Sequence, residues 1–219
     1  MKISKYVHSC LLFEDGETRL LFDPGKFSFV DGRVEPETFS GVSAVVITHD
    51  HPDHLYLPAL KEIVEASGAP VISNGEVAAT LGAEGIEVDV FEEGTRQVGT
   101  FSLQAIPTEH EPILSDELPQ HTAFLVDERV LNPGDSFRDT LLPFAGVELL
   151  VLPVMAPFLT ELGAVDFAHR MRPQGVLPVH DGYARDYFLE QRYETYGPYF
   201  DEHQITFHAL KRAGESIHV

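Results

Sequence analysis

Three histidines, His49, His51 and His54, lie within six residues of one another together with Asp53. They directly follow the apolar run 45–47, which predicts a buried strand. Neutral imidazole and carboxylate groups are the ligands that divalent ions of the zinc type prefer. The segment therefore predicts a metal-binding loop at the end of a strand.

The spacing of these residues indicates two half-sites. In an extended chain successive side chains alternate, so that His49 and His51 project to the same side and Asp50 points away. The proline that follows bends the chain and lets Asp53 and His54 face a neighbouring point. A site of this composition that keeps one coordination position open for water is catalytic rather than structural.

The pattern His49-x-His51-x-Asp53-His54 after an apolar strand resembles the signature of the metallo-β-lactamase superfamily. The resemblance covers essentially the whole chain. It implies three further ligands at strand ends, namely a third histidine for one ion, a bridging aspartate, and a late histidine for the other ion. The candidates for these positions are His110, Asp135 and His180.

The resemblance also implies how the ligands divide between two divalent ions. The first ion would be bound by His49, His51 and His110, the second by Asp53, His54 and His180, and both by Asp135. Zinc is the expected metal, with manganese or iron as alternatives. Two such ions activate a water for hydrolysis. Asp53, which would orient that water, and Asp135 are the predicted catalytic residues.

Two further histidines have more than one interpretation. His8 lies between two strand-like segments, and is either a core or turn histidine or a group near the metals. In relatives of the superfamily, a His-Ser pair at this place lies close to the site. His121 starts a predicted strand instead of ending one, so a role behind the ligands, a contact with substrate and a purely structural role all remain open.

The remaining sequence predicts one α/β domain over residues 1–219. Short strand patterns alternate with helical ones, and the resemblance implies a four-layer αββα sandwich, in which two packed sheets have helices outside. Thr160 is predicted to cap a helix that extends to about Met171 and buries Leu162, Val165 and 167–168. A further helix is predicted over 183–193.

Composition restricts the classes of partner. The chain has 15 basic and 35 acidic residues, a net charge of −20, and no basic patch that would bind nucleic acid. No apolar run is long enough to suggest a membrane span. The single cysteine, Cys10, cannot form an intramolecular disulfide, which fits the cytoplasm. The expected partner is a small-molecule substrate.

Two sets of apolar residues in the C-terminal half of the chain have predicted surface roles. Met155 and Phe158 are predicted to line an apolar wall. An aromatic cluster is predicted to be exposed and to offer a contact for a homo-oligomer. The cluster consists of Tyr193, Tyr196, Tyr199 and Phe200.

The pairs and turns around the predicted ligands resemble one branch of the superfamily, the ascorbate-phosphate-lactonase-like hydrolases. The resemblance rests on His8-Ser9, on 133–136 and on 178–181, and implies hydrolysis of a small ester, lactone or phosphodiester. Two alternatives remain. A dedicated phosphodiesterase would need phosphate-binding groups near the metals, for which Arg138, His121 and Lys26 are candidates. A non-hydrolytic redox or sensor module would bind iron at the same ligands.

Overall fold

The computed structural model describes all residues from Met1 to Val219. The first seven strands are β1 (Lys2–Lys5), β2 (Leu11–Asp15), β3 (Thr18–Phe22), β4 (Ala44–Val46), β5 (Val71–Ser73), β6 (Val88–Val90) and β7 (Gly94–Val98). The other seven are β8 (Phe101–Glu109), β9 (Gln120–Val126), β10 (Val130–Asn132), β11 (Leu149–Pro153), β12 (Gly175–Val179), β13 (Thr206–Phe207) and β14 (Glu215–His218). The α-helices are α1 (Lys26–Phe29), α2 (Leu57–Ser67), α3 (Gly75–Gly82), α4 (Glu161–Met171) and α5 (Asp186–Glu202).

The strands form two seven-stranded sheets, each part antiparallel and part parallel. The first sheet has the order β14-β1-β2-β3-β4-β5-β6 and the second the order β13-β12-β11-β10-β9-β8-β7. Strands β3 to β6 run parallel in the first sheet, as do β10 to β13 in the second. Parallel neighbours end at the same edge of a sheet, which brings loops from distant parts of the chain together.

Successive side chains of a strand face opposite sides of its sheet, and this alternation separates the layers of the fold. In β3, Leu20 and Phe22 face the core between the two sheets, whereas Leu21 faces the outer side. Helices α2 and α3 cover the outer side of the first sheet, with Leu60 and Val77 among the buried contacts. Helices α4 and α5 cover the second sheet in the same way. The predicted αββα sandwich is confirmed.

The apolar stripe predicted for α4 is partly wrong. Leu162 is 81% exposed, whereas the buried residues are Ala164, Phe167, Ala168 and Met171. These four follow the i, i+3, i+4, i+7 spacing of one helix face, and Leu162 lies off that face. The predicted cap is present, since the Thr160 hydroxyl accepts a hydrogen bond from the Gly163 amide at 3.1 Å.

The last helix and its aromatic residues also differ from the prediction. Helix α5 begins at Asp186 and extends to Glu202, well beyond the predicted end at residue 193. Its residues Tyr193, Tyr196 and Phe200 are buried against the second sheet, and Tyr199 is half-buried. The predicted exposure of the cluster is therefore wrong, because three of its four rings belong to the core. None of the helices combines the length and apolar character that crossing a membrane requires.

A buried lysine joins the two sheets beside the end of β12. Lys5 is 2% exposed and forms an ion pair with Asp181, the residue after His180. Its ammonium also donates hydrogen bonds to the Pro178 carbonyl at 2.8 Å and to the Tyr193 hydroxyl at 2.9 Å. The ammonium group of Lys5 thus links strand β1 to the end of β12 and to helix α5.

We expect Lys5→Met to lower the free energy of unfolding by about 3–5 kcal/mol, because it leaves the buried Asp181 carboxylate without its cation. Lys2→Met is the matched control on the same strand. Lys2 pairs with Glu14 at 2.8 Å, but its side chain is 42% exposed, and such a pair contributes about 1 kcal/mol or less. Urea unfolding of both variants measures the difference; equal losses would contradict the assigned role of Lys5.

Candidate metal centre

The predicted metal loop follows β4 and turns back on itself. The amides of His54 and Leu55 both donate hydrogen bonds to the His51 carbonyl, at 2.9 and 2.8 Å. His49 and His51 lie side by side, with 3.1 Å between Nε2 of the first and Nδ1 of the second. Asp50 points away from them toward Thr80. The loop thus has the alternation that its sequence predicts.

The first group of candidate ligands consists of His49, His51, His110 and Asp135. One ligand atom from each lies within 4.8 Å of the others. His110 lies directly after β8, and its Nδ1 is 2.6 Å from the Glu111 carbonyl. That hydrogen bond places the proton on Nδ1 and leaves Nε2 free to bind a cation.

The second group consists of His8, Asp53, His54 and His180, again with ligand atoms within 4.8 Å of one another. His180 follows β12 in the left-handed region, at φ 62°. Its Nδ1 is 2.5 Å from the Met155 carbonyl, which leaves Nε2 to face the group. This Nε2 lies 3.5 Å from Oδ2 of Asp53.

Asp135 lies between the two groups. Its Oδ2 is 3.4 Å from Nε2 of His110 in the first group and 2.9 Å from Nε2 of His180 in the second. Its Oδ1 is 3.4 Å from Nε2 of His54. The structure therefore brings all seven predicted ligands to one place and gives Asp135 the position that a shared ligand requires.

Asp23 orients His54, a role that the sequence does not predict. The residue follows β3 in a turn, and its Oδ2 lies 2.9 Å from Nδ1 of His54. The same carboxylate accepts hydrogen bonds from the Thr48 amide at 2.8 Å and the Thr48 hydroxyl at 2.9 Å. Asp23 thereby directs Nε2 of His54 toward Asp135. Such a partner on the far nitrogen of a ligand histidine sets its tautomer and basicity.

The residues after Asp23 pack directly beneath the metal loop. The Lys26 amide donates a hydrogen bond to the Pro52 carbonyl at 2.9 Å. At Gly25 the backbones come so close that a Cβ atom would overlap the Asp53 carbonyl. The turn at residues 23–25 is therefore part of the site. In the sequence, only Gly25 indicates that two backbones come this close.

His8 supports Asp53 instead of offering a free nitrogen to a metal. Its Nδ1 accepts a hydrogen bond from the Gly182 amide at 2.9 Å. Burial and the neighbouring His180 lower the pKa of His8 to about 3, so that the ring is neutral. The single ring proton must then be on Nε2, which donates to Oδ2 of Asp53 at 3.2 Å.

Tyr183 is a second donor to Asp53 and was not predicted. Its hydroxyl donates to Oδ2 of Asp53 at 2.7 Å, and the residue is 51% exposed. The ring also lies edge-on to His8 and Phe27, with centroids 5.2 and 4.9 Å apart. No spacing in the sequence identifies this tyrosine, because only the turn after β12 brings it to the loop.

His121 lies behind the site. It is 3% exposed, and its Nε2 accepts a hydrogen bond from the Asp135 amide at 3.0 Å. Burial lowers the pKa of His121 to about 3, which keeps the acceptor nitrogen unprotonated. Of the roles left open by the sequence, this geometry favours support of the ligand Asp135 over contact with substrate.

The electrostatics of the cluster fit a cation. Burial alone would lower the pKa of His54, but Asp135 and Asp23 outweigh it and raise that pKa well above its ordinary value. Burial would likewise raise the pKa of Asp135, but His180 and His54 hold it well below the usual range. The pocket therefore stabilises positive charge next to its carboxylates.

Several buried polar atoms at the centre of the cluster have no hydrogen-bond partner. They are Nε2 of His54, His110 and His180, and Oδ1 of Asp135. Buried polar atoms without partners are uncommon in proteins and costly. The three imidazole nitrogens lie 2.9 to 3.4 Å from the Asp135 carboxylate, where divalent ions would satisfy them. The donor set of imidazole and carboxylate thus fits the predicted metals.

Two proteins of known sequence match most of this chain. Protein Rv0786c of Mycobacterium tuberculosis is 32% identical over 188 residues, which are 82% of this chain and 84% of that protein. The UPF0173 metal-dependent hydrolase MJ1163 of Methanocaldococcus jannaschii is 25% identical over 190 residues, or 81% of this chain and 83% of that protein.

The fold has solved counterparts. Igni18, described as a novel metallo hydrolase from Ignicoccus hospitalis, superposes with a TM-score of 0.72 and 20% identity. The superposition covers 99% of this chain and 97% of that chain. The family model described as the β-lactamase superfamily domain matches residues 2–180. Since this match includes every predicted ligand, the chain belongs to the β-lactamase superfamily.

Proposed function

We propose that this metal-dependent hydrolase binds two divalent metal ions and cleaves a small ester or lactone. The position of Asp135 between two groups of ligand atoms is the observation that carries the proposal. The first ion is assigned to His49, His51 and His110, with Asp135 shared. The second ion is assigned to Asp53, His54 and His180. His8 is left out of the ligand set because its Nε2 carries the proton donated to Asp53.

Zinc is the metal that suits these ligands best, with manganese and iron as the alternatives. Divalent ions held by these residues would supply Lewis acidity, lowering the pKa of a bound water and polarising the substrate. The protein's own contribution is orientation. His8 and Tyr183 both donate to Oδ2 of Asp53, which fixes the carboxylate against rotation. Asp53 is then positioned to accept a hydrogen bond from the attacking water and to direct it at the substrate.

The surroundings of the cluster favour an uncharged substrate over a phosphodiester. Arg138 lies 3.5 Å from Glu111 and 3.6 Å from Glu109, so its charge is already compensated. His121 is buried and accepts from the Asp135 amide. Of the phosphate-binding candidates from the sequence, only Lys26 keeps an exposed side chain beside the loop.

Membership of the ascorbate-phosphate-lactonase-like branch stays part of this proposal. The His-Ser pair that suggested the branch has its histidine in contact with Asp53. His180 and Asp181, which also suggested it, are respectively a candidate ligand and the partner of the buried Lys5. These contacts support the branch because they give each of the resembling segments a place at the site.

Asp53→Ala should abolish hydrolysis, because it removes both a ligand of the second ion and the group that orients the water. We expect zinc-loaded or manganese-loaded wild type to hydrolyse a simple lactone faster than bis(para-nitrophenyl) phosphate. The rate with the lactone should fall by roughly 100-fold or more in the variant. Asp50→Ala is the matched control in the same loop, since Asp50 points away from the cluster.

The outcomes of this comparison separate the alternatives. Faster cleavage of the phosphodiester would favour the dedicated phosphodiesterase. No cleavage of either substrate by a protein that purifies with iron would favour the redox or sensor module. A fully active Asp53→Ala protein would exclude the assigned role of Asp53.

Asp23→Asn should weaken metal binding by roughly 10–100-fold, as expected when the partner of a ligand histidine is lost. The physical reason is that an amide cannot provide the negative charge that now holds the Nδ1 proton of His54. Competition with a metal-sensitive dye measures the affinity, and Asp50→Asn is the control. Unchanged affinity in Asp23→Asn would show that His54 needs no such partner.

A further inference from the structure

We propose that the groove beside the second group of ligands binds an apolar chain of the substrate, so that the preferred ester or lactone carries an aliphatic or aromatic acyl group. This inference rests on the hydrolytic function proposed above and specifies its substrate class. The groove has a volume of about 600 Å³, within the range of ligand pockets. It lies between the segment 154–160 and the beginning of α5.

The walls of the groove are mainly apolar. They include Val154, Met155, Ala156, Pro157, Tyr183 and Phe188. Its two charged residues, Glu161 and Arg192, form an ion pair with each other. The groove therefore has no uncompensated charge that would select an ionic group, and burial of hydrocarbon is the interaction that it offers.

Two residues connect the groove to the metal cluster. Tyr183 lines the groove, and its hydroxyl donates to Asp53 at 2.7 Å. Met155 lines it as well, and its carbonyl accepts from Nδ1 of His180 at 2.5 Å. One wall of the groove is thus in direct contact with Asp53 and His180 of the second group. An acyl chain seated there would have its carbonyl carbon next to the cluster.

A second groove, of about 530 Å³, lies on the other side of Leu159 and Thr160 and is polar. Its two arginines are both paired, Arg138 with Glu111 at 3.5 Å and Arg170 with Asp139 at 2.7 Å. Phe158 lines this groove, and its ring centroid lies 5.6 Å from that of His110. The site is thus asymmetric, with an apolar side near the second group and a polar side near the first. This asymmetry assigns the acyl chain to one side and the alcohol portion to the other.

Exposed apolar side chains surround the entrance of the apolar groove. Phe188 is 38% exposed and Tyr183 is 51% exposed, and both line the groove. Clustered exposed apolar residues mark binding surfaces more often than scattered ones do. A second copy of the chain could also cover them, but the contact of the lining residue Tyr183 with Asp53 favours the substrate.

The test is a series of para-nitrophenyl esters from acetate to octanoate, assayed with the zinc-loaded full chain. We expect kcat/KM to rise by roughly twofold to fourfold for each methylene that enters the groove. Phe188→Asp should flatten this dependence, because it places a charge where the chain would lie. Tyr187→Asp is the matched control, since Tyr187 is exposed on the same turn but does not line the groove; it should keep the wild-type slope.

A binding measurement separates this inference from the proposed hydrolysis. Calorimetric titration with the carboxylates from acetate to octanoate needs no turnover, and affinity should rise with chain length in wild type but not in Phe188→Asp. Hydrolysis without any dependence on length would overturn the groove assignment and leave the hydrolase intact. Length-dependent binding without hydrolysis of any ester would overturn the proposed hydrolysis and leave the groove assignment intact. A dimer that dissociates in Phe188→Asp, measured by sedimentation, would assign the groove to a second copy and overturn the inference.

Discussion

The structure around the metal centre depends on one buried carboxylate, that of Asp135. It is 2% exposed, and a charge removed so completely from water is costly unless other groups compensate it. Its neighbours are imidazoles from separate segments, with Nε2 of His180 at 2.9 Å and Nε2 of His110 at 3.4 Å, and these nitrogens can share a cation with the carboxylate. The backbone of Asp135 is fixed as well, because its amide donates to His121. A divalent cation would complete this balance, since imidazoles and carboxylates with free atoms already face one space.

The two sheets make that convergence feasible. Loops after β4, β8, β10 and β12 all reach the same edge, although the strands belong to different sheets. The apolar core between the sheets sets the register of each strand, because a slip of one residue would turn its inward side chains outward. His110 and His180 directly follow such strands, His49 and Asp135 come soon after one, and the other ligands belong to the loop after β4, so the packing of the core sets where these segments begin. The ion pair of Lys5 with Asp181 adds a polar link across the same edge.

The sequence identified the parts of the site that are encoded locally. His49, His51, Asp53 and His54 form a compact pattern, and the distant ligands followed from strand ends that the resemblance singled out. Asp23 and Tyr183 were missed for a different reason. An aspartate before Pro-Gly has an ordinary explanation as a turn residue, and nothing near Tyr183 in the sequence relates it to residue 53. Their roles arise only from tertiary contacts.

The errors in the predicted helices concern which of their residues are buried. In α4 the predicted stripe included Leu162, although the buried side is set by Phe167 and its neighbours at helical spacing. In α5 the aromatic rings were predicted to be exposed, in a segment that has many polar and acidic residues. Tyr193, Tyr196 and Phe200 nevertheless recur on one helix face and pack on the second sheet. Helical periodicity is therefore a better guide to burial here than average polarity is.

Charge and shape together restrict what reaches the centre. The net charge of −20 disfavours the approach of anions at low ionic strength, whereas it has little effect on a neutral ester or lactone. Near the cluster, the arginines are paired with carboxylates, so that positive potential for a phosphate would come from the bound metal ions alone. A neutral substrate loses nothing from these features and gains from burial of its hydrocarbon part. Surface charge, paired arginines and the apolar groove are three separate observations that support the proposed neutral substrate.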